Sequence, residues 1–149
     1  MSLMRELGEH LTGLERLRAM MTSDRQPGMA TTLGMSIVEA QEGRVALKAP
    51  PGAHLANTNG VVQRGFAASL LDMACGYAVI SKLDAGRTCS TLELKVAYHR
   101  PVLLTVGHVI AEGTVVNLGS RIGYAEARLT DDAGRLCASA SSTLMLLKI

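Results

Sequence analysis

The sequence has no tryptophan, one phenylalanine and three tyrosines, so aromatic residues make up only 3% of the 149 residues. The apolar share is nevertheless 48%. A chain of this length forms one domain and buries about two thirds of its extended-chain surface. Its core must therefore be built from Ala, Val, Leu, Ile and Met, and such small side chains predict that backbones pack close together.

Long runs of like charge or of apolar residues are also missing. The formal net charge is +2, and the basic residues stand singly along the chain, which argues against a nucleic-acid surface. No apolar run reaches the ~20 residues of a membrane span, and the N-terminus lacks the apolar region of a signal peptide. The sequence therefore predicts a cytoplasmic protein with no membrane or nucleic-acid partner.

Cysteine and histidine are too few and too scattered for a disulfide framework or a metal site. The residues are Cys75, Cys89, Cys137, His10, His54, His99 and His108. The cysteines are odd in number and lack CxxC spacing, and the histidines lack ligand-like spacing. Reduced thiols, no metal and no bound cofactor are the expectation.

The apolar periodicity changes along the chain. Leucines at helical spacing predict one N-terminal helix over residues 1–23, which ends at the breaker DRQPG. Alternating residues around the turn at 41–43 predict a hairpin, and residues 64–83 predict a helix that is buried all round. Four further strands are predicted over 88–100, 103–116, 121–130 and 136–147. Antiparallel strands wrapped around one helix make an α+β domain.

Asp72 interrupts the apolar helix, within the stretch NTNGVVQRGFAASLLDMACG at residues 57–76. Its helical neighbours are Ala68, Ser69, Cys75 and Gly76, so its own helix offers no cation. A buried, unpaired carboxylate is costly. Asp72 therefore caps a backbone group, meets an Arg from a strand, lies at an exposed edge or belongs to a site.

The loop before this helix favours a site. Asn57, Gly60, Gln63 and Gly65 gather amide and backbone donors where the helix begins, and a helix N-terminus has unpaired N–H groups. Asp72 lies ~12 Å further along the axis, too far to act on the same carbonyl.

A second copy of the chain removes this difficulty. If the long helices of two chains pack side by side and antiparallel, the amide end of one approaches Asp72 of the other. The small residues Ala67, Ala68, Ala74 and Gly76 permit such closeness.

Three segments together resemble the hotdog-fold acyl-CoA thioesterases of the phenylacetic-acid-degradation type. The first runs from Asn57 through VVQRGF and ASLLD to the ACG at residues 74–76. The second, TLELKVAYHRPV at residues 91–102, is similar to the family's T-x-x-L-x-x-x-Y-x-R-P strand. The third, NLGSR followed by AEARLTDDAGRLCASASST, is similar to its final hairpin.

The resemblance implies a single hotdog domain over residues 1–149, with an extra N-terminal helix at 1–23 and the hotdog core at 29–149. In this fold a curved antiparallel sheet wraps around one long helix. The resemblance also implies a homodimer, or a dimer of dimers, with active sites between subunits. The implied activity is hydrolysis of acyl-CoA without a metal or cofactor, coenzyme A being part of the substrate.

Residue by residue, Asp72 matches the family's carboxylate, which acts as nucleophile or as general base toward water. The backbone N–H of Arg64, with Gly65 beside it, matches the donor that polarises the thioester carbonyl, a group worth ~3 kcal/mol in comparable sites. Asn57 matches the loop Asn that binds the water or the carbonyl. Thr91 matches a hydroxyl residue that places the water.

Two features complicate these assignments. Strict alternation puts Thr91 on the strand face opposite to Leu94, Val96 and Tyr98, unless a bulge or the seam between two subunits brings it back to the site. The family also usually has His-Gly-Gly where this chain has Gln63, Arg64 and Gly65, so a possible acid is missing.

Alternatives of three kinds remain. A non-catalytic acyl-CoA-binding or regulatory protein of the same fold fits the missing His, whereas an enoyl-CoA hydratase would need a His on the Asp72 helix. The single arginines Arg64, Arg87, Arg100 and Arg121 are candidates for CoA phosphate contacts or ordinary surface residues.

Overall fold

The computed structural model describes residues 3–149, and Met1 and Ser2 of the predicted first helix lie outside them. The helices are α1 (Leu3–Leu7), α2 (Gly13–Thr22), α3 (Gly28–Thr32) and α4 (Arg64–Ile80). The strands are β1 (Ser36–Gln41), β2 (Arg44–Ala49), β3 (Arg87–Tyr98), β4 (Val109–Leu118), β5 (Ile122–Asp131) and β6 (Leu136–Lys148). A 3-10 turn, Ala53–Leu55, lies in the loop before α4.

The N-terminal segment forms two helices rather than the predicted one. Gly8 breaks the helix because its φ is +125°, a conformation that side chains disfavour. Thr12 then starts α2 with a capping box, in which its hydroxyl accepts from the Glu15 N–H and the Glu15 carboxylate accepts from the Thr12 N–H. The short α3, which periodicity did not predict, follows Pro27.

The six strands form one antiparallel sheet in the order β1-β2-β4-β5-β6-β3. The predicted hairpin is confirmed as β1 and β2. β4 begins at Val109, six residues later than predicted, because Pro101 opens a loop that Gly107 closes by donating to Asp132 Oδ2 at 2.8 Å. Among residues 3–149, β3 forms one edge of the sheet and pairs only with β6.

Helix α4 packs across the sheet, and the backbones approach as closely as the composition predicts. A Cβ added to Gly113 of β4 would lie 2.2 Å from the carbonyl oxygen of Ala74 in α4. One added to Gly13 of α2 would lie 1.7 Å from the carbonyl oxygen of Ile80. Glycine is therefore required at both contacts.

The prediction that the helix over residues 64–83 is buried all round is wrong for the single chain. Leu70, Leu71 and Ala74 are fully buried. A stripe along the opposite side stays at least partly exposed because no element of the described residues covers it. The stripe consists of Gly65, Ala68, Ser69, Asp72, Met73 and Gly76. The carboxylate of Asp72 therefore lies on the open face of an otherwise buried helix.

Among residues 3–149, the structure has no helix of the length and apolarity needed to cross a bilayer.

Candidate active site

The N-terminus of α4 presents two unused backbone donors. Gln63 precedes the helix with φ −59° and ψ 130°, and its side chain does not cap it. The N–H of Phe66 is bonded to the carbonyl of Gln63, but the N–H groups of Arg64 and Gly65 have no acceptor within residues 3–149. Both residues are exposed. These N–H groups and the positive end of the helix dipole together suit an oxygen that carries negative charge.

Asn57 shapes the loop that leads to this helix. Its side-chain oxygen accepts from the N–H of Asn59 at 2.9 Å and from the N–H of Val61 at 3.3 Å. Gly60 closes the turn with φ +76°. The oxygen of Asn57 is therefore occupied by its own loop, and only its amide N–H groups are left to donate to a ligand.

Tyr98 holds the start of α4, a role that the sequence motif by itself does not indicate. Its hydroxyl donates to the carbonyl of Arg64 at 3.1 Å. The guanidinium of Arg64 lies 5.4 Å from the centroid of the Tyr98 ring, within cation–π range. The sequence could have indicated this contact, because Tyr98 belongs to the strand motif and alternation places it on the helix-facing side of β3.

Asp72 and Thr91 are brought into direct contact. The hydroxyl of Thr91 donates to Asp72 Oδ1 at 2.9 Å, which orients the carboxylate and leaves Oδ2 without a hydrogen bond from the described residues. Asp72 is half-buried and Thr91 is exposed. No ion pair in the described part of the chain includes Asp72. The contact thus holds the carboxylate without neutralising it.

A β-bulge explains how Thr91 reaches the helix. The pairing of β3 with β6 shifts between Thr91 and Glu93, so Leu92 has no partner across the ladder. An extra residue reverses the alternation of side chains on either side of it. Thr91 therefore shares the inner face with Leu94, Val96 and Tyr98. The strict alternation that places Thr91 on the opposite face applies only to a strand without a bulge.

The two thiols near Asp72 are protonated at neutral pH. Burial raises the pKa of Cys75 and of Cys89 to about 12, and the charge of Asp72 adds to the effect in both cases. Neither thiol is therefore a nucleophile of the kind that a thiolate provides. Within residues 3–149 no three His, Cys, Asp or Glu side chains cluster as metal ligands.

The carboxylate and the helix N-terminus remain apart within one chain. Eight residues separate Arg64 from Asp72, which is ~12 Å at the rise of an α-helix. Two of the small residues expected to receive a partner helix, Ala67 and Ala74, are buried against their own sheet. Ala68 and Gly76 lie on the open stripe.

These groups together provide a negatively charged base or nucleophile, a hydroxyl that orients it, and free N–H donors for an oxyanion. That set of functions is the one required for attack on an acyl carbonyl. All the side chains involved lie on or beside the open stripe or at the N-terminus of α4.

Comparison with known proteins gives consistent matches. The sequence profile of the thioesterase superfamily matches residues 59–138, more than half of the chain. A candidate esterase of Halobacterium salinarum is 38% identical over 104 residues, which cover 66% of this chain and 67% of that protein.

Two solved structures share the fold. A candidate thioesterase of Ralstonia eutropha, described as related to phenylacetic acid degradation, is 27% identical with a TM-score of 0.77 over 86% of this chain and 96% of that one. A Streptococcus mutans protein bound to acetyl CoA is 21% identical with a TM-score of 0.70 over 76% and 89% of the two chains. The resemblance found in the sequence is thus confirmed, and the chain belongs to the thioesterase superfamily with its hotdog fold.

Proposed function

We propose that this protein hydrolyses acyl-CoA thioesters, with Asp72 as general base or nucleophile and the Arg64 N–H as donor to the thioester oxygen. Family membership supports thioester hydrolysis in general. The observation that carries the specific proposal is the Asp72 carboxylate, bonded to Thr91 and free of any cation in the described residues, on the open face of α4. The acetyl CoA held by the S. mutans protein of this fold supports the choice of coenzyme A.

The reaction needs no group beyond these and water. Acting as base, Asp72 takes a proton from water while the water oxygen bonds to the carbonyl carbon, and the N–H donors stabilise the oxyanion. The tetrahedral intermediate then expels the CoA sulfur, to which Asp72 returns the proton that it took from water, and the carboxylic acid is released. Acting as nucleophile, Asp72 itself bonds to the carbonyl carbon and expels the CoA sulfur, and water then hydrolyses the resulting anhydride.

The active site is completed by a second copy of the chain. β3 is an edge strand of 12 residues whose outer backbone groups have no partner strand within the described part of the chain. Such an edge favours pairing with another strand. Leu92 and Tyr98 on it are 55% and 39% exposed. Pairing of β3 with its symmetry mate would place a second copy beside Thr91 and Asp72, so that Asp72 of one chain meets the N-terminus of α4 of the other.

A panel of short, medium, long and aromatic acyl-CoAs, with thiol release as the readout, tests the activity. Turnover of at least one member is expected. A wild-type protein that binds acyl-CoA but hydrolyses none of them would favour the second candidate, a non-catalytic acyl-CoA binder, which the loss of the usual His supports.

Arg64→Pro tests the backbone donor directly, because proline lacks the N–H. Arg64 is the first residue of α4, where proline is well tolerated, and Gln63 already has the extended conformation that precedes proline. Turnover is expected to fall ~100-fold, as when one oxyanion donor is lost. Arg64→Gln is the matched control, since it removes the guanidinium but keeps the N–H. Equal losses in the two variants would contradict the role of the N–H.

The same variant tests whether two chains share one site. When Arg64→Pro and Asp72→Asn chains are mixed and allowed to exchange, half of the dimers are mixed. If each site combines Asp72 of one chain with the donor of the other, every mixed dimer has one intact site, and activity returns to about a quarter of wild type. If both groups came from one chain, every site would carry a lesion and no activity would return.

Thr91→Val tests the hydroxyl that holds the carboxylate. Valine keeps the shape but cannot donate to Asp72, and loss of a hydrogen bond to a charged group is expected to lower kcat about tenfold. Thr91→Ser should restore most of it. Thr143→Val is the matched control, because Thr143 donates to Glu93 Oε2 at 3.1 Å on the other face of the sheet. If both valine variants lowered stability and kcat equally, Thr91 would have only a structural role.

A further inference from the structure

The geometry points to Arg64 and Arg100 as a paired anion-recognition element that selects the substrate at the mouth of a cleft beside the N-terminus of α4. This inference rests on the function proposed above and deepens it. The ligand group is an anionic oxygen group of the thioester substrate. Its two possible sources are a phosphate of coenzyme A and a carboxylate carried by the acyl group.

The cleft combines an apolar floor with two cations at its mouth. Val62, Ala67, Val102 and Leu129 line its floor, and Arg64 and Arg100 line it beside Tyr98. Its cavity volume is about 20 Å³, roughly the space of one water molecule. The cleft is thus too narrow to take a charged group inside, so the anion binds at its mouth beside Arg64 and Arg100, both of which are exposed residues.

Neither arginine is neutralised within the described residues. Arg25, Arg44, Lys82 and Arg135 each form an ion pair with a carboxylate. Arg64 and Arg100 have no carboxylate within ion-pair distance among residues 3–149. Two positive residues that line one cleft without a carboxylate partner give it a positive potential, which attracts an anion. The planar guanidinium also suits a phosphate or carboxylate, which accepts two parallel hydrogen bonds.

Fixed backbone contacts hold the two arginines relative to each other. The Tyr98 hydroxyl holds the carbonyl of Arg64, and the ring of Tyr98 lies under its guanidinium. The N–H of Arg100 donates to the carbonyl of Cys137 at 3.1 Å, and the N–H of Val62 donates to the carbonyl of Val102 at 3.0 Å. The loop that leads into α4 and the loop after β3 are therefore joined, and little further ordering is needed when an anion binds.

The position of Arg64 gives this element a direct link to the reaction. The residue whose N–H is the proposed oxyanion donor also carries one of the two guanidinium groups, so the anion site and the proposed oxyanion site share one residue. The guanidinium of Arg64 adds charge selection to a site that the backbone N–H alone would leave indifferent to charge.

Arg64→Gln and Arg100→Gln test the pair, with Arg128→Gln as the control. Arg128 is an exposed arginine of β5, outside this cleft, and it too has no ion pair within the described residues. Four substrates are compared for each protein, namely a neutral acyl group and a carboxylate-bearing acyl group, each attached to coenzyme A and to pantetheine, which lacks the phosphates. The readout is the ratio of variant to wild-type kcat/KM for each substrate.

If the arginine variants lower kcat/KM about tenfold for both CoA thioesters and much less for both pantetheine thioesters, the result supports phosphate recognition. A loss confined to the two carboxylate-bearing substrates supports recognition of the acyl carboxylate. In either case Arg64→Lys should retain part of the affinity, and the loss should shrink at high salt. The same loss for all four substrates, or a loss no greater than that of Arg128→Gln, would overturn the inference.

Calorimetric titration with coenzyme A and with a free dicarboxylate separates this inference from the proposed function. Weaker binding of either ligand by Arg64→Gln and Arg100→Gln than by Arg128→Gln would support the anion site even if the wild type hydrolysed no thioester. Hydrolysis by wild type together with binding that all three variants retain would leave the proposed function intact and overturn the anion site.

Discussion

Asp72→Asn is expected to lower turnover on the best acyl-CoA substrate by ~100-fold or more, because an amide is neither a base nor a nucleophile. The fold should be retained. Asparagine has nearly the same volume, and its side-chain oxygen can still accept the hydroxyl of Thr91, which lies 2.9 Å from Asp72 Oδ1. The measurement is thiol release under saturating substrate, with urea unfolding as the check on folding.

The control for this variant is Asp84→Asn. Asp84 is exposed and follows α4, and it has no side-chain hydrogen bond or ion pair within the described residues. Its substitution removes the same charge from the protein without touching the open stripe, so turnover should stay at the wild-type level. An Asp72→Asn protein that is folded and keeps wild-type turnover would remove the carboxylate from the mechanism and leave catalysis without a base.

Gly113→Ala is expected to lower the free energy of unfolding by about 3 kcal/mol, because added volume in a packed core forces the backbone to shift. The new Cβ would lie 2.2 Å from the carbonyl oxygen of Ala74 and 3.0 Å from the nitrogen of Cys75. Both neighbours are helix backbone, which cannot move aside as a flexible side chain can. The measurement is the midpoint of urea unfolding, with the slope m expected to stay constant.

This substitution should also reach the active site. Ala74 is two residues from Asp72, so a helix displaced from β4 carries the carboxylate away from Thr91, and turnover should fall along with stability. Gly28→Ala is the control, because no atom lies within 4 Å of the position of its Cβ and its φ is not positive. A Gly113→Ala protein with the stability of the Gly28→Ala protein would show that the sheet and helix have room to separate.

Elements with a clear period in the sequence were predictable, and breaks in the period were not. Alternation and the turn at 41–43 identified the β1–β2 hairpin, and the apolar run with its Asn- and Gly-rich loop identified the start of α4 at Arg64. The break between α1 and α2 was missed, because the leucine spacing continues through Gly8 as if the helix did. The late start of β4 was missed because an apolar loop segment has the same composition as a strand.

The candidate site shows the same division. Asp72 was recognisable because a carboxylate in an apolar helix has a cost that a function can explain. The contact of Thr91 with Asp72 was not predictable from alternation, because a single unpaired residue, Leu92, reverses the side-chain faces and depends on how β3 aligns with β6. The cleft shared by Arg64 and Arg100 also needed the fold, since 36 positions separate them in the chain.

The sequence by itself determined the fold class, the family, the residue types in the core and the carboxylate, because hydrophobic periodicity and local motifs act over short stretches of chain. Tertiary structure decided which face of α4 stays open, which residue orients Asp72, and where Gly113 must lack a side chain. Those outcomes depend on contacts between residues far apart in the chain, and their geometry is fixed only when sheet and helix pack together.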